Sequence, residues 1–407
     1  MKIIVNATPL LAPLTGIGQY IRHLFTAMDQ IAEAKVTAYY GTHCEQGMRL
    51  PAPETSTNPS PDTSSRAPVS HPMANMLMRR GYNLLKRFSP NPRAIRRVAE
   101  RALFSWHTRG QGQSEVLYHE PNYVPLPYQG PLVITVCDLS CFDHPETHPK
   151  ERVELFQRDL PKAIERADHI IVISHATGAA LQRWFNVDAS RITNTYLAAD
   201  PRFKPRSAAS LTPGLASLGL VPGGYVLSVG TLEPRKNLSA LFAAYAGLPD
   251  ALRQRYPLAV AGMSGWNTEG LMQSAQALLA RGELRLLGYV PDALIPPLYA
   301  GAAAFCYPSR YEGFGLPALE AMASGVPVLT SNATSLPEVV GDAGLMVDPD
   351  DVDGLRERLQ QLLEDRAFAD SLGQLGLVKA HTFSWERCAQ ETFAVYQKVM
   401  AQRGHAS

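Results

Sequence analysis

The chain has 407 residues, enough for two or three domains that each bury a core, so a single small binding module is excluded. Lys and Arg number 38 against 37 Asp and Glu, a formal net charge of +1; nothing global draws this chain to nucleic acid, and any basic function is local. Apolar residues at 45% and charged residues at 18% exclude global disorder. Lys2 to Ala7 reads as a buried strand, and Gly16 to Gln30 carries Ile17, Tyr20, Ile21, Leu24, Phe25 and Met28 at helical spacing. Val36 to Tyr40 is the next strand. Residues 51–72 hold six prolines and eight Ser or Thr, which predicts an extended, mobile loop. Helices are expected at about 74–88 and 93–107. Strands then alternate with helices: strands near 115–119, 132–137, 169–173 and 191–196, helices near 149–166 and 175–185. Such alternation builds a parallel sheet with helices on both faces.

Asp200 to Gly224, with four prolines and several small residues, reads as a linker. Beyond it the alternation restarts, with strands near 225–229, 257–261, 284–288, 303–307, 327–330 and 344–347. The expected architecture is α/β, two Rossmann-like doubly wound domains facing across a cleft. In such sheets ligands lie beyond the carboxyl ends of the strands.

Five cysteines, at positions 44, 137, 141, 306 and 388, are odd in number and hold no Cys-x-x-Cys pair. They support neither a disulfide framework nor a zinc ribbon, and a reduced, cytoplasmic compartment fits them. Asn6, Thr8, Pro9 and Pro13 interrupt the apolar N-terminus, so it is not read as a signal peptide. The long uncharged run Ala293 to Ser309 contains Pro296, Pro297 and Pro308 and is too broken to span a bilayer.

Four loops carry candidate chemistry. Gly16 and Gly18 follow the first strand and open a helix, allowing close approach of a phosphate or sugar. A dinucleotide fingerprint fails there, because Ile21 takes the third glycine position and no acid closes the second strand. Gly230-Thr231-Leu232-Glu233-Pro234-Arg235-Lys236-Asn237 places a planar and a point cation together after a strand, suited to an anion or to plain solvation. Arg310 to Ala321 runs from a strand end through a glycine turn into a helix starting near Leu316, with Pro317 in its first turn. Its amides face an anion, and Glu312 and Glu320 bracket it; Glu320 can accept two hydroxyls, as a ribose requires, or complement the helix dipole. Finally, the strand ends Tyr118 to Tyr123 and Thr135 to Ser140 offer His119, Asn122, Cys137 and Asp138 as sugar or acceptor contacts, with turn or capping roles equally open to Asn122 and Asp138. Asp348 to Asp353 resembles a metal cluster, but it precedes a helix starting near Val352 and reads as its cap.

Gly230 to Asn237, Glu312 to Glu320 and the continuation Met322-Ala323-Ser324-Gly325-Val326-Pro327-Val328 resemble the retaining glycosyltransferases of family four, which have the GT-B fold. In the first half the resemblance is carried by Gly16-Ile17-Gly18, His119 to Asn122, Asp138 to Ser140 and Ile173-Ser174. It implies an N-terminal acceptor-side domain over 1–205, a nucleotide-sugar domain over 220–383 and a C-terminal helix, 384–407, that crosses back. It further implies that Arg235 and Lys236 hold the donor diphosphate, Glu312 a sugar hydroxyl and Glu320 the ribose. The amides of Phe314, Gly315 and Leu316 would hold the phosphates, with Gly230, Gly16 and Gly18 near the donor and Tyr289 and Val290 at the base. Arg235, Lys236 and Glu312 are the expected catalytic residues. No metal and no cofactor is expected, since two cations and a helix N-terminus stabilise a leaving diphosphate. A non-catalytic nucleotide-sugar-binding protein and a nucleotide-sugar epimerase of related fold are the alternatives.

The expected donor is a nucleoside diphosphate sugar, GDP-linked, carrying mannose or rhamnose. Cys137 stands where this family commonly has a histidine on the 6-hydroxyl of the hexose; either its thiol suits a 6-methyl group better, or Cys137 packs in the core while His119 or another residue supplies the contact. Residues 76–109 hold nine Lys or Arg against Glu100 alone, interleaved with apolar residues that include Phe104 and Trp106. They are expected either to be a solvated basic face or to anchor the protein on anionic lipid. The implied acceptor is a lipid-linked saccharide of lipopolysaccharide, O-antigen or other surface-polysaccharide assembly, at the inner face of the cytoplasmic membrane.

Overall fold

The computed structural model describes residues 1–11, 16–47, 92–109, 115–266 and 268–404. The loop expected at 51–72 and the helix expected at 74–88 lie outside these residues. Strands β1 (Lys2–Asn6), β2 (Lys35–Tyr39), β3 (Cys44–Gln46), β4 (Val116–Glu120), β5 (Leu132–Val136), β6 (His169–Val172) and β7 (Ile192–Asn194) form a sheet in the order β3-β2-β1-β4-β5-β6-β7. β1 pairs in parallel with β2 and β4, β4 with β5, and β6 with β7. The edge strand β3, absent from the sequence reading, turns back antiparallel on β2. Its three residues are too short to show a period.

Strands β8 (Val226–Val229), β9 (Leu258–Ala261), β10 (Leu284–Gly288), β11 (Ala304–Tyr307), β12 (Val328–Ser331) and β13 (Leu345–Val347) form a second sheet, all parallel, in the order β10-β9-β8-β11-β12-β13. Contacts divide the chain into two compact units, Met1–Ile134 with Phe393–Ser407, and Thr135–Thr392. The last helix, Trp385–Gly404, therefore begins in the second unit and ends in the first.

In the first unit the helix Gly16–Met28 buries Tyr20, Ile21, Leu24, Phe25 and Met28, the stripe its spacing predicts. A polar centre lies within this core. The Glu120 carboxylate accepts from Asn6 Nδ2 at 2.8 Å, from the Tyr118 hydroxyl at 2.6 Å and from the Asn122 amide at 3.0 Å. Burial nevertheless pushes its pKa up to about 7, against those three bonds.

In the second unit the core packs Leu241, Phe242 and Tyr245 with Leu355, Leu359 and Leu362 around the strands. Asp351 caps the helix Val352–Glu364 by accepting from the Gly354 amide at 2.8 Å, the role its position predicts. The stretch read as a linker, Asp200 to Gly224, instead contains the helix Ala208–Ala216, which corrects that reading. Pro213 lies inside this helix, but Leu211 and Leu215, one turn apart, are both buried, and their burial outweighs the one hydrogen bond that proline removes.

Close backbone approach orders the loops after β8 and β9. Gly262, with φ +152°, has no room for a side chain, because a Cβ there would stand 1.9 Å from the Gly230 carbonyl oxygen. Gly262→Ala is expected to lower stability by roughly 1–3 kcal/mol through overpacking and backbone strain. A thermal melt showing an unchanged Tm contradicts this.

Candidate functional site

Loops that follow β8 and β11 build the site. After β8, Gly230 takes φ +154°, and the chain turns through Pro234–Lys236 to Asn237, which is left-handed at φ 56°. Asn237 tolerates that conformation and fixes it, donating from Nδ2 to the carbonyls of Pro308 at 3.1 Å and Pro349 at 2.7 Å. The loop is bonded back to the β11 side by the Arg310 amide, which donates to the Arg235 carbonyl at 2.9 Å.

The second loop is held as firmly. The Glu312 amide donates to the Thr334 hydroxyl oxygen at 2.9 Å, and the Ser335 hydroxyl reaches the carbonyls of Glu312 at 2.9 Å and Phe314 at 2.8 Å. Gly313 has no space for a Cβ, which would lie 2.1 Å from the Cys137 carbonyl oxygen. Gly315, at φ +107°, turns the chain into the helix Leu316–Ala323, whose first turn holds Pro317 and has no side-chain cap. Its first amides therefore lack side-chain acceptors.

Between the loops lies a buried charge network. Arg235 donates to the Tyr311 carbonyl at 2.6 Å, Glu312 Oε2 at 3.1 Å and Glu233 Oε1 at 2.6 Å. Lys236 donates to Glu312 Oε1 at 2.8 Å and to the Tyr307 hydroxyl, with its ammonium 4.9 Å from that ring's centre. Side-chain exposure is 14% for Arg235, 11% for Lys236, 8% for Glu312 and 5% for Glu233. Two cations and two carboxylates thus neutralise one another almost out of water. Burial alone would raise the pKa of Glu312, but Lys236 and Arg235 hold it down to about 2. Burial and the neighbouring Arg235 pull Lys236 below its ordinary value, while Glu312 opposes them. Arg235 Nε is buried without a hydrogen-bond partner among the described residues, an unused donor beside this network.

Other residues singled out from sequence fall as follows. A Cβ on Gly230 would touch Lys236 Cε at 3.4 Å. Phe314 is buried, its ring edge-on to Phe383 at 5.8 Å, and Leu316 is half-buried. Glu320 lies on the helix that Gly315 opens, and burial pushes its pKa up to about 8, partly countered by the Tyr299 hydroxyl. At the end of β10, Tyr289 is exposed and Val290 buried. Cys137 is buried, and burial pushes its thiol well above the ordinary range. Asp138 makes a turn before the short helix Ser140–Asp143, accepting from the Ser140 amide at 3.0 Å and hydroxyl at 2.8 Å.

The first unit offers less. Gly16 opens its helix in open space, Gly18 is buried within that helix, and Asn122 is half-buried. His119, read as a sugar or acceptor contact, is a core residue with no exposed surface. Its Nδ1 lies 2.6 Å from the Tyr396 hydroxyl, and burial pulls its pKa to about 3. The sequence reading quoted Glu233 without a role and missed Tyr307, Thr334, Ser335 and His148; only the position of Tyr307 at a strand end signalled it. Among the described residues no group of three or more His, Cys, Asp and Glu is placed to hold a metal ion.

A GT-B pair of parallel Rossmann-like sheets, with a paired cation site at strand ends of the second, defines a class. The family profile for glycosyl transferases group 1 matches residues 221–376. O-antigen chain mannosyltransferase B of Escherichia coli is 39% identical over 402 residues, covering 98% of this chain and all of that protein. The chain belongs to the group 1 glycosyltransferases and is an enzyme of that kind. Serotype-specific mannosyltransferase WbdA of Escherichia coli is 34% identical over 282 residues, 67% of this chain but only 34% of that longer protein. The fold matches WaaG, a glycosyltransferase involved in lipopolysaccharide biosynthesis, with TM-score 0.66 and 17% identity over 96% of this chain and 98% of that one. It also matches Anabaena HepE, solved with UDP-glucose, with TM-score 0.67 and 16% identity over 98% and 100% of the two chains.

Glu312 carries the expected acid response. With a folded pKa near 2 against 4.5 unfolded, its stabilisation is complete above pH 4.5 and is lost as pH falls toward 2. Glu312→Gln is expected to unfold at lower urea than wild type at pH 6, by on the order of 3 kcal/mol, with the gap narrowing toward pH 3. A gap independent of pH contradicts the assignment.

Proposed function

We propose that this glycosyltransferase is a retaining, metal-independent mannosyltransferase of O-antigen or lipopolysaccharide assembly, using a GDP-linked donor and a lipid-linked saccharide acceptor. The observation that carries the donor half is the Arg235, Lys236 and Glu312 network with its unpaired Arg235 Nε. A leaving diphosphate concentrates negative charge as the glycosyl bond breaks, and pre-placed cations stabilise that charge without reorganising. The amides of Phe314, Gly315 and Leu316 add donors from the helix start. Both Glu312 oxygens are held by the cations, so Glu312 reaches a sugar hydroxyl when phosphate oxygens take over one of those bonds. Glu320 receives the ribose, Tyr289 and Val290 lie at the base, and residues 220–383 carry the donor while 1–205 carry the acceptor. Mannose and O-antigen rest on the names of the similar Escherichia coli mannosyltransferases.

Cys137 favours a second reading of the sugar. A buried thiol leaves a hexose 6-hydroxyl poorly satisfied and suits a 6-deoxyhexose such as rhamnose.

Membrane association is proposed through 76–109. Within the described part, the helix Pro92–Thr108 packs by Phe104, whose ring lies 5.0 Å from Tyr39 and 4.8 Å from Tyr118. This removes Phe104 from the residues expected to enter lipid, because it fills the core. Trp106 is 67% exposed, with Arg101 and Arg109 also exposed nearby. Among the described residues no helix is long and apolar enough to cross a membrane.

Assay of GDP-mannose beside GDP-rhamnose on a lipid-linked O-antigen precursor tests the donor and the acceptor. GDP-mannose is expected to serve, and Arg235→Ala to slow transfer at least about tenfold in a folded protein. Preference for GDP-rhamnose, reversed by Cys137→His, would establish the 6-deoxyhexose reading instead. Sedimentation with anionic vesicles at low salt is expected, reduced in Trp106→Ala and abolished by high salt. A protein that stays in the supernatant has no such anchor.

A further inference from the structure

His148 belongs to neither cation loop, yet its hydrogen bonding is incomplete in a definite way. It is 7% exposed, and its Nε2 lies 2.9 Å from the Ser140 hydroxyl oxygen. That hydroxyl gives its proton to Asp138 Oδ1 at 2.8 Å. Ser140 therefore receives from the imidazole, so Nε2 carries the ring proton and Nδ1 the lone pair. Nδ1 is buried and has no hydrogen-bond partner among the described residues. A buried acceptor left unpaired is costly unless something brings it a donor.

The surroundings narrow what that donor is. Burial, Arg152 and Arg235 keep the ring neutral against the pull of Asp138 and Glu233, so the lone pair stays available. The same influences place His148 in the field of Arg235 and Glu233, the residues beside the proposed diphosphate site. The group joined to a donor diphosphate is the sugar, and a sugar offers hydroxyl protons to a neutral acceptor. Trp266 stands over the imidazole, ring centres 6.0 Å apart, and its indole N–H donates to the carbonyl of Thr147, the residue before His148. An aromatic face beside a polar acceptor is the usual composition of a pocket that binds one end of a small polar ligand.

We propose that His148 is a sugar-recognition residue whose Nδ1 accepts a hydrogen bond from one hydroxyl of the transferred glycosyl group. The chain Asp138, Ser140, His148 sets the tautomer that makes Nδ1 an acceptor. This rests on the reading of the protein as a transferase using a nucleoside diphosphate mannose donor.

Two substitutions separate the ring nitrogens. His148→Gln keeps an N–H near Nε2 for Ser140 and removes the Nδ1 acceptor; His148→Asn places an amide oxygen near Nδ1 and gives up the bond to Ser140. Transfer is measured for wild type and both variants with GDP-mannose and its monodeoxy analogues, with thermal melts confirming folding. In wild type one monodeoxy donor is expected to lose about ten- to a hundredfold in kcat/KM. His148→Gln should lose a similar factor with GDP-mannose and nothing further with that monodeoxy donor, while His148→Asn stays within about tenfold of wild type. The inference is overturned if no monodeoxy donor loses more than about threefold in wild type, a result that needs no variant to fold. It is overturned equally if every monodeoxy donor loses the same factor in His148→Gln as in wild type, or if the coupling appears only with deoxy acceptors. Absence of wild-type transfer from GDP-mannose, with transfer from another nucleotide sugar, overturns the donor reading alone, and the same deoxy series on that donor then tests His148.

Discussion

The carboxylate of Glu312, held between Arg235 and Lys236, is the interaction on which the rest of the site depends. One oxygen faces each cation, at 3.1 and 2.8 Å, in a place where all three side chains are largely withdrawn from water. Ions brought into such surroundings must be paired with good geometry or they cost more than their attraction returns. The loops are therefore tied to one another along their backbones, through Asn237, Thr334 and Ser335. The glycines at 262 and 313 follow from the same demand, since a Cβ at either would meet a backbone carbonyl oxygen. The charges of this network are thus largely desolvated and fixed in direction by one another.

Two glutamates on one loop and helix show how environment divides identical chemistry. Glu312, between two cations, is held ionised far into acid; Glu320, half-buried, is pushed up to about 8 by desolvation, aided by Asp200 and Asp292 and countered by the Tyr299 hydroxyl and Arg202. The first suits permanent pairing with cations. The second changes its hydrogen-bonding capacity close to neutrality. Glu120 in the other unit is shifted the same way, because desolvation is the largest influence on both carboxyls.

The strand end at β5 carries a different economy. Asp138 and Ser140 form a local side-chain turn, but the Ser140 oxygen also engages His148 eight residues later. The bond to Asp138 fixes the direction of the serine proton, and that direction fixes which imidazole nitrogen is free. A local turn thus determines the chemistry of a residue outside it.

Most of the architecture was legible in the chain itself. Apolar runs of strand length alternating with helical stripes place the longer strands and the helices Gly16–Met28, Pro92–Thr108, Lys150–Arg166 and His175–Phe185 within a few residues, and Gly315 followed by Pro317 marks the helix that opens at Leu316. Arg235, Lys236, Glu312 and Glu320 could be named as candidates because loops after parallel strands are where such sheets bind ligands. Not legible were the features that depend on what a residue meets far along the chain. The helix Ala208–Ala216 forms in a proline-containing stretch because Leu211 and Leu215 find a core. His119 is buried against Tyr396, 277 residues away, and Phe104 packs on Tyr39 and Tyr118 in the core. The free nitrogen of His148 and the opposite ionisation of Glu312 and Glu320 belong to the same class. Composition and period act through near neighbours and so determine elements by themselves; burial and charge pairing are sums over space, and only the folded chain decides them.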